Sequence, residues 1–266
     1  MEMAVDRNQD YEQFKTRFLQ LTGINLSLYK EEQMKRRLDS FRARKQFPDL
    51  AALCFEMERS DKLLRQVLSR MTINVTEFFR NASRWQTLEE KIRRIARRKK
   101  DILVWSAACS TGEEPYSLAI LIGKYISADR YRILATDIDR DVLRQAETGI
   151  YTEEAVTCFT SEERLHYFTV SGRDYRIRPE LKGSVQFLRH DLLRDSAPGR
   201  FDLIVCRNVL IYFTEEGKSL IYQKFGHSLS DDGILFVGST EQIFRPDIYG
   251  LKSEEAFFYR KLNPCD

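Results

Sequence analysis

Histidine is scarce in this sequence: His166, His190 and His227 are the only three in 266 residues, and none falls in a block that reads as catalytic. Chemistry that leans on an imidazole base or a histidine-rich metal centre is therefore poorly supplied. All three read as surface or packing residues. Cysteine is sparse too. Cys54, Cys109, Cys158, Cys206 and Cys265 are odd in number and form no C-x-x-C pair. That argues against a disulfide framework and against zinc-site spacing, leaving free thiols, mostly buried. Long apolar runs are also missing. Nothing approaches the ~20 residues of a membrane span, and the opening MEMAVDRNQDYEQF has neither the basic nor the apolar region of a signal peptide. The expectation is a cytoplasmic protein that is not itself embedded in a membrane. No stretch is repetitive or of low complexity.

What is present is unevenly charged. The net charge is +3, yet residues 1–100 hold 23 Lys/Arg against 14 Asp/Glu while residues 101–266 hold 20 against 26. A basic first part should face an acidic partner.

Hydropathy patterning divides the chain. Over residues 8–70 the apolar positions recur at helical spacing, with stripes at Phe14, Phe18 and Leu21, at Met34, Leu38 and Phe41, and at Leu63, Val67 and Leu68. This predicts a small all-helical domain, residues 1–72. Residues 73–100 read as a linker followed by a basic helix that docks on a sheet. From residue 102 short apolar runs alternate with helical ones: ILVWSA, EEPYSLAILIGKYI, YRILATDID, RDVLRQAETGIY, VQFLRHDL, FDLIVCRN, EEGKSLIYQKFGHSLS and GILFVGS. Strands apolar throughout and separated by helices predict a parallel sheet covered on both faces, an α/β doubly wound domain over residues 101–266. Residues 168–186 interrupt the alternation with an apparent hairpin around Ser171–Asp174, predicting a small inserted β-subdomain.

The stretch VWSAACSTGEEPYSLAI carries the first strand into the first helix of that domain, the place where open α/β sheets bind ligands. Dinucleotide binders use G-x-G-x-x-G there so that the backbone can approach a pyrophosphate. The matching positions here are Ala108, Ser110 and Gly112. A cofactor without phosphate suits such a loop, and S-adenosylmethionine, a nucleoside joined to an amino acid through a sulfonium, is one. Asp137, 25 residues after Gly112 at the end of the next strand, is placed to accept hydrogen bonds from ribose hydroxyls. Two local alternatives stand beside this reading. Thr111 and Glu114 have the spacing of a capping box, and Asp137 or Asp139 could cap the following helix.

Five blocks, TINVTEFFRNASRW, VWSAACSTGEEPYSLAI, ATDIDRDVLRQAETGIY, FDLIVCRNVLIYF and GILFVGSTEQIF, occur in the order found in CheR-type chemotaxis receptor methyltransferases, and the chain resembles that family from about Tyr11 to Tyr259. The resemblance implies an S-adenosylmethionine-dependent methyltransferase sheet with a helical N-terminal domain and an inserted β-subdomain. It implies methyl transfer to glutamate side chains on the cytoplasmic helices of chemoreceptors, giving glutamate methyl esters and S-adenosylhomocysteine, with no metal. Cofactor contacts are implied for Asn74, Thr76, Arg80, Glu114, Asp137, Asp191, Leu192, Arg207 and Asn208. Asp191 stands where the family is expected to carry asparagine, so a backbone contact is the one implied there. Arg80 and Tyr212 are implied near the transferring methyl, Arg80 holding either the substrate carboxylate or the methionyl carboxylate of the cofactor. On the helix predicted for EEQMKRRLDSFRARK, Lys35 and Arg42 flank the apolar stripe on one side and Arg37 and Arg44 on the other. These four are the expected guides for a glutamate-rich receptor helix. RNVLIYF lacks the paired prolines of amino-directed nucleic-acid methyltransferases, so no nucleic-acid substrate is expected. Some family members hold a peptide at the receptor's C-terminus on the inserted subdomain. TVSGRDYRIR turns tightly and leaves little loop to shape such a site, so independence of that tether is expected, with weak addition of a peptide to an exposed strand edge as the alternative.

Overall fold

The computed structural model describes residues 2–72 and 74–262, with side chains from Gln9 onward. Cys265 lies outside the described residues. The chain divides into two compact units, one built on the chain before Asn74 together with Tyr212–Leu220, the other on Asn74–Ile211 and the chain from Ile221 onward.

The first unit contains α1 (Glu2–Thr22), α2 (Glu31–Arg44), α3 (Leu50–Arg59) and α4 (Asp61–Met71). Phe14, Phe18, Met34, Leu38, Phe41 and Val67 are buried where the stripes placed them, and Leu53, Cys54 and Met57 complete the core from α3. Short polar side chains set the helix starts, because the first N–H groups of a helix have no partner within it. Asp49 accepts from Ala52 N–H at 2.7 Å and Ser60 from Leu63 N–H at 3.2 Å. Asp10, on α1, reaches across to accept from Leu50 and Ala51 N–H at 3.0 and 3.2 Å, tying the start of α3 to its neighbour.

The second unit begins with α5 (Ala82–Arg98) and continues β1 (Ile102–Ala107), α6 (Glu113–Gly123), β2 (Tyr131–Asp137), α7 (Arg140–Thr148), β3 (Ile150–Tyr151), α8 (Ser161–Tyr167), β4 (Phe168–Ser171), β5 (Asp174–Ile177), α9 (Pro179–Lys182), β6 (Val185–Arg189), β7 (Phe201–Cys206), the part of α10 (Glu215–Ser228) from Ile221 onward, β8 (Leu229–Val237), β9 (Leu251–Glu255) and β10 (Phe258–Lys261). The main sheet has the order β6-β2-β1-β7-β8-β10-β9. Its first five strands run parallel. β7 is buried along its whole length and β1 everywhere but Leu103, as expected of central strands covered on both faces. The parallel, doubly wound sheet expected from the sequence is present, and at its far side β10 pairs antiparallel with β8 and β9. Only Ala256 and Phe257 link β9 to β10, and so short a link can join only antiparallel neighbours.

The strand order reverses between β1 and β7, which puts the ligand crevice of this topology beyond their carboxyl ends. A second, three-stranded sheet has the order β3-β5-β4. It takes in Ile150–Tyr151 as well as the hairpin, while Val185 and Gln186 already pair with Ile133 and Leu134 in the main sheet.

Candidate functional site

The loop from β1 to α6 has the backbone of a glycine-rich turn without the glycines. Ala108 (φ 66°), Ser110 (φ 49°) and Gly112 (φ 97°) all lie in the left-handed region. Alanine and serine are costly there, so the surroundings must hold them. Cys109 N–H donates to Thr136 C=O at 2.9 Å, Ser110 N–H to Asp137 Oδ2 at 2.9 Å, and Ser110 Oγ to Asn74 C=O at 3.0 Å. At Gly112 a Cβ would lie 2.9 Å from both Ala146 Cβ and the Tyr151 hydroxyl, so α6 can pass this closely only without a side chain.

Asp137 ends β2 with its carboxylate buried. Oδ1 accepts from Asp139 N–H at 3.0 Å and Oδ2 from Ser110 N–H. Burial raises its pKa to about 6, against the opposing pull of these N–H donors. It is not the cap of α7. That position is Asp139, which accepts from Asp141 N–H at 2.9 Å and from Asn74 Nδ2 at 3.1 Å. Two carboxylate oxygens offer about four lone-pair positions, and two are used by backbone, so the chemistry of Asp137 fits a diol donor.

The capping box read from Thr111 and Glu114 does not form. Gly112 is the N-cap of α6, and Thr111 donates to Glu113 at 2.7 Å instead. Glu114 is free for a different role. It accepts from Ser106 Oγ at 2.8 Å and faces Arg207 Nη1 at 3.8 Å. Burial holds its pKa up, and Arg207 pulls it back down. Arg207, at the end of β7, donates through Nη2 to Arg80 C=O at 2.7 Å and to Asn81 Oδ1 at 3.0 Å, and its guanidinium packs 4.9 Å from the Phe236 ring. Its Nε is buried and has no hydrogen-bond partner among the described residues. An orphaned donor on a buried cation beside the cofactor loop fits the carboxylate of an amino acid.

Other sequence-predicted residues fall as follows. Asn74 meets both the loop, through its carbonyl, and Asp139, while Thr76 is half-buried. Arg80 is half-buried with Nη1 donating to Val75 C=O at 3.0 Å. Asp191 is turned inward, Oδ1 accepting from Leu193 and Arg194 N–H at 2.8 and 3.4 Å while its own N–H donates to Asp195. Leu192 C=O accepts from the Lys224 ammonium. Asn208 adopts φ 62°. His190 is buried and packs edge-on against Trp105, whereas His227 is exposed, its Nδ1 paired with Gln223 C=O.

Tyr212 ends a 3₁₀ turn, Leu210–Tyr212, and lies in the first unit. Its C=O accepts from Lys30 N–H at 2.8 Å, Thr214 N–H donates to Leu28 C=O at 2.9 Å, and the Arg37 guanidinium sits 4.5 Å from its ring centroid. Arg37 also donates to Met71 C=O. Lys35 pairs with Glu31 at 2.5 Å, and Arg42 donates to Phe47 and Pro48 C=O at 2.9 and 2.7 Å. Of the four flank residues, Arg44 is the exposed one. Among the described residues no cluster of His, Cys, Asp and Glu is arranged to hold a metal.

A parallel sheet, a small-residue loop at its switch point and a buried acid one strand away define a nucleoside-cofactor enzyme of the α/β class. The comparisons narrow the class. A family model described as "CheR methyltransferase, SAM binding domain" matches residues 74–256, and "CheR methyltransferase, all-alpha domain" matches residues 9–72. The protein is an S-adenosylmethionine-dependent methyltransferase, and the chain belongs to the CheR family. It is 44% identical over 261 residues to a chemotaxis protein methyltransferase of Listeria innocua, covering 97% of this chain and 100% of that one. Similar proteins of the same description occur in Borreliella burgdorferi, 32% identical with 83% of each chain covered, and in Escherichia coli, 38% identical over 65% of this chain and 63% of that one.

Proposed function

We propose that this enzyme transfers the methyl group of S-adenosylmethionine to glutamate side chains on the cytoplasmic helices of chemoreceptors, leaving S-adenosylhomocysteine and tuning receptor output during sensory adaptation. The observation that carries the cofactor half is the buried Asp137 bound to a loop in which Ala108 and Ser110 keep a glycine-like conformation. The acceptor half rests on likeness to chemotaxis methyltransferases over nearly the whole chain.

When bound, the cofactor supplies an electrophilic methyl on sulfur. Asp137 would take the ribose hydroxyls, and Arg207, with Arg80, the carboxylate end. Asn74, Thr76, Glu114, Asp191, Leu192 and Asn208 complete the cofactor surface in this reading. A glutamate carboxylate has a pKa near ~4.3 in water and is already an anion in the cell, so no residue need act as base. The protein's work is alignment of oxygen, carbon and sulfur, and removal of water from the nucleophile. Arg80 and Tyr212 are assigned to the reacting centre. If Arg80 engages the acceptor it takes one oxygen only, since gripping both would damp the nucleophile. An anionic nucleophile and a sulfonium leaving group need no Lewis acid, and we assign the reaction no metal.

Arg44 is the strongest candidate of the four basic residues for steering the receptor, because Lys35, Arg37 and Arg42 are engaged within their own unit. Nucleic acid is not assigned as a substrate. The hairpin β4–β5 turns through Gly172 and Arg173 with Gly172 at φ 62°, which supports independence from a receptor-tail tether. No helix among the described residues is long and apolar enough to cross a membrane, in keeping with a cytoplasmic place of action.

Labelled S-adenosylmethionine incubated with receptor-rich membranes tests the proposal. Label on the receptors that leaves as methanol in alkali is expected, at a rate unchanged when the receptor's terminal residues are deleted. Base-stable label, or none despite cofactor binding, would refute the assignment.

A further inference from the structure

Glu241 follows β8, at the same end of the sheet as the cofactor loop, and is 3% exposed. Oε2 accepts from Gly238 N–H and from Asn208 N–H, both at 2.8 Å, and Oε1 accepts from Leu210 N–H at 2.7 Å. One carboxylate thus binds the segment after β8 to the segment after β7. Burial pushes its pKa up while these N–H groups pull it down.

The packing around it is unforgiving. A Cβ at residue 238 would lie 2.2 Å from Glu241 Oε2 and 3.0 Å from Asn208 N, so glycine is required for the carboxylate to sit where it does. Asn208 is held at φ 62°, a conformation that needs outside support, and its N–H is one of the three that Glu241 receives. Arg207 immediately precedes it, with its buried Nε unpartnered among the described residues and its charge facing Glu114. Remove the carboxylate and three backbone donors lose their acceptor, two of them, Asn208 and Leu210 N–H, where the chain leaves β7 and one, Gly238 N–H, where it leaves β8.

We propose that Glu241 is a positioning residue for methyl transfer: it fixes the backbone of Arg207–Leu210 in the conformation that presents Arg207 and Asn208 to the cofactor. This rests on the reading of those two residues as cofactor contacts. Glutamine at this position has one acceptor oxygen and must turn an amide N–H₂ toward at least one backbone N–H. Aspartate keeps both oxygens, one methylene short.

The test compares Glu241→Gln, Glu241→Asp and Gly238→Ala in the full chain, with Ile95→Ala on α5 as a control that loses stability elsewhere. Measured are kcat, KM for the receptor, S-adenosylhomocysteine affinity by calorimetry, and Tm. Glu241→Gln should lower kcat and cofactor-product affinity about tenfold or more at unchanged receptor KM, the loss expected when charge-assisted bonds are replaced by a donor clash. Gly238→Ala, which keeps the charge and displaces the carboxylate, should reproduce that pattern, and Glu241→Asp should recover part of it. Ile95→Ala should lower Tm and leave both constants alone. A folded Glu241→Gln or Gly238→Ala enzyme with wild-type kcat and product affinity, while Arg207→Ala and Asn208→Ala bind weakly, would overturn the role of Glu241. Wild-type binding in Arg207→Ala and Asn208→Ala would overturn the cofactor reading, and this role with it.

Discussion

Cofactor affinity should fall as the solution is acidified through about pH 6, because Asp137 can accept ribose hydroxyls as an ionised group only above its raised pKa of about 6. At about pH 7.5 the carboxylate is almost wholly ionised, whereas at about pH 5 only about a tenth is, so Kd for S-adenosylhomocysteine should rise about tenfold between the two. The stability linkage has a definite sign. The folded protein binds this proton more tightly than the unfolded chain, so the contribution of Asp137 to stability is full below the ordinary value of 3.8 and is lost as pH rises through about 6. A shift from 3.8 to about 6 makes keeping the buried anion at neutral pH cost roughly 3 kcal/mol, which hydrogen bonds from a ligand would offset in part. Asp137→Asn should weaken binding at neutral pH by about 1.5–3 kcal/mol and abolish the acid dependence. Calorimetric titration from about pH 5 to pH 8, with circular dichroism to confirm folding at each point, measures both effects. A wild-type Kd that does not move across that range, or an asparagine variant that binds like wild type, would refute the reasoning.

Arg80→Ala and Tyr212→Phe should lower turnover at saturating cofactor with little change in Tm, and wild-type turnover in both would make them packing residues. Arg44→Glu should raise the receptor KM and flatten its salt dependence while cofactor affinity stays put, whereas Arg37→Glu should also lower Tm, because Arg37 is tied to Met71 and Tyr212. Gly112→Ala should destabilise the fold by about 1–3 kcal/mol in denaturant titration, from the left-handed backbone and the contact with Ala146 and Tyr151. Asp49→Ala, which removes the cap of α3, should cost about 1 kcal/mol in the same assay and leave kcat untouched.

Features written in local periodicity are legible in the amino-acid sequence alone. The stripes of α1 and α2, the apolar strands β1, β2 and β7, and Asp137 at a strand end all follow from spacing along a few residues. The role of Glu241 is not legible in that way, although the residue falls inside the block GILFVGSTEQIF. The sequence around it has no period, and its role exists only because β8 lies beside β7 and brings Gly238 against Asn208. Arg37 misleads for a related reason. As a flank residue of an amphipathic helix it reads as free for a partner, yet the chain near residue 212 returns to occupy it. The glycine-poor loop works in the opposite direction. Ala108 and Ser110 stand where a dinucleotide loop has glycine, and Asp137, Asn74 and Thr136 hold the same left-handed path that glycine takes without support.

The helical unit is discontinuous in the gene product: Tyr212–Leu220, encoded some 140 residues downstream, belongs to it. A chimaera made by swapping only the first 72 residues between relatives would carry Leu28, Tyr29, Lys30 and Arg37 away from the Tyr212, Phe213 and Thr214 that answer them. The helices therefore cannot be inherited or transplanted as a simple N-terminal cassette. Recombination that exchanges this unit intact must move two separate segments together, which ties the evolution of the N-terminal helices to that of a tyrosine assigned to the chemistry.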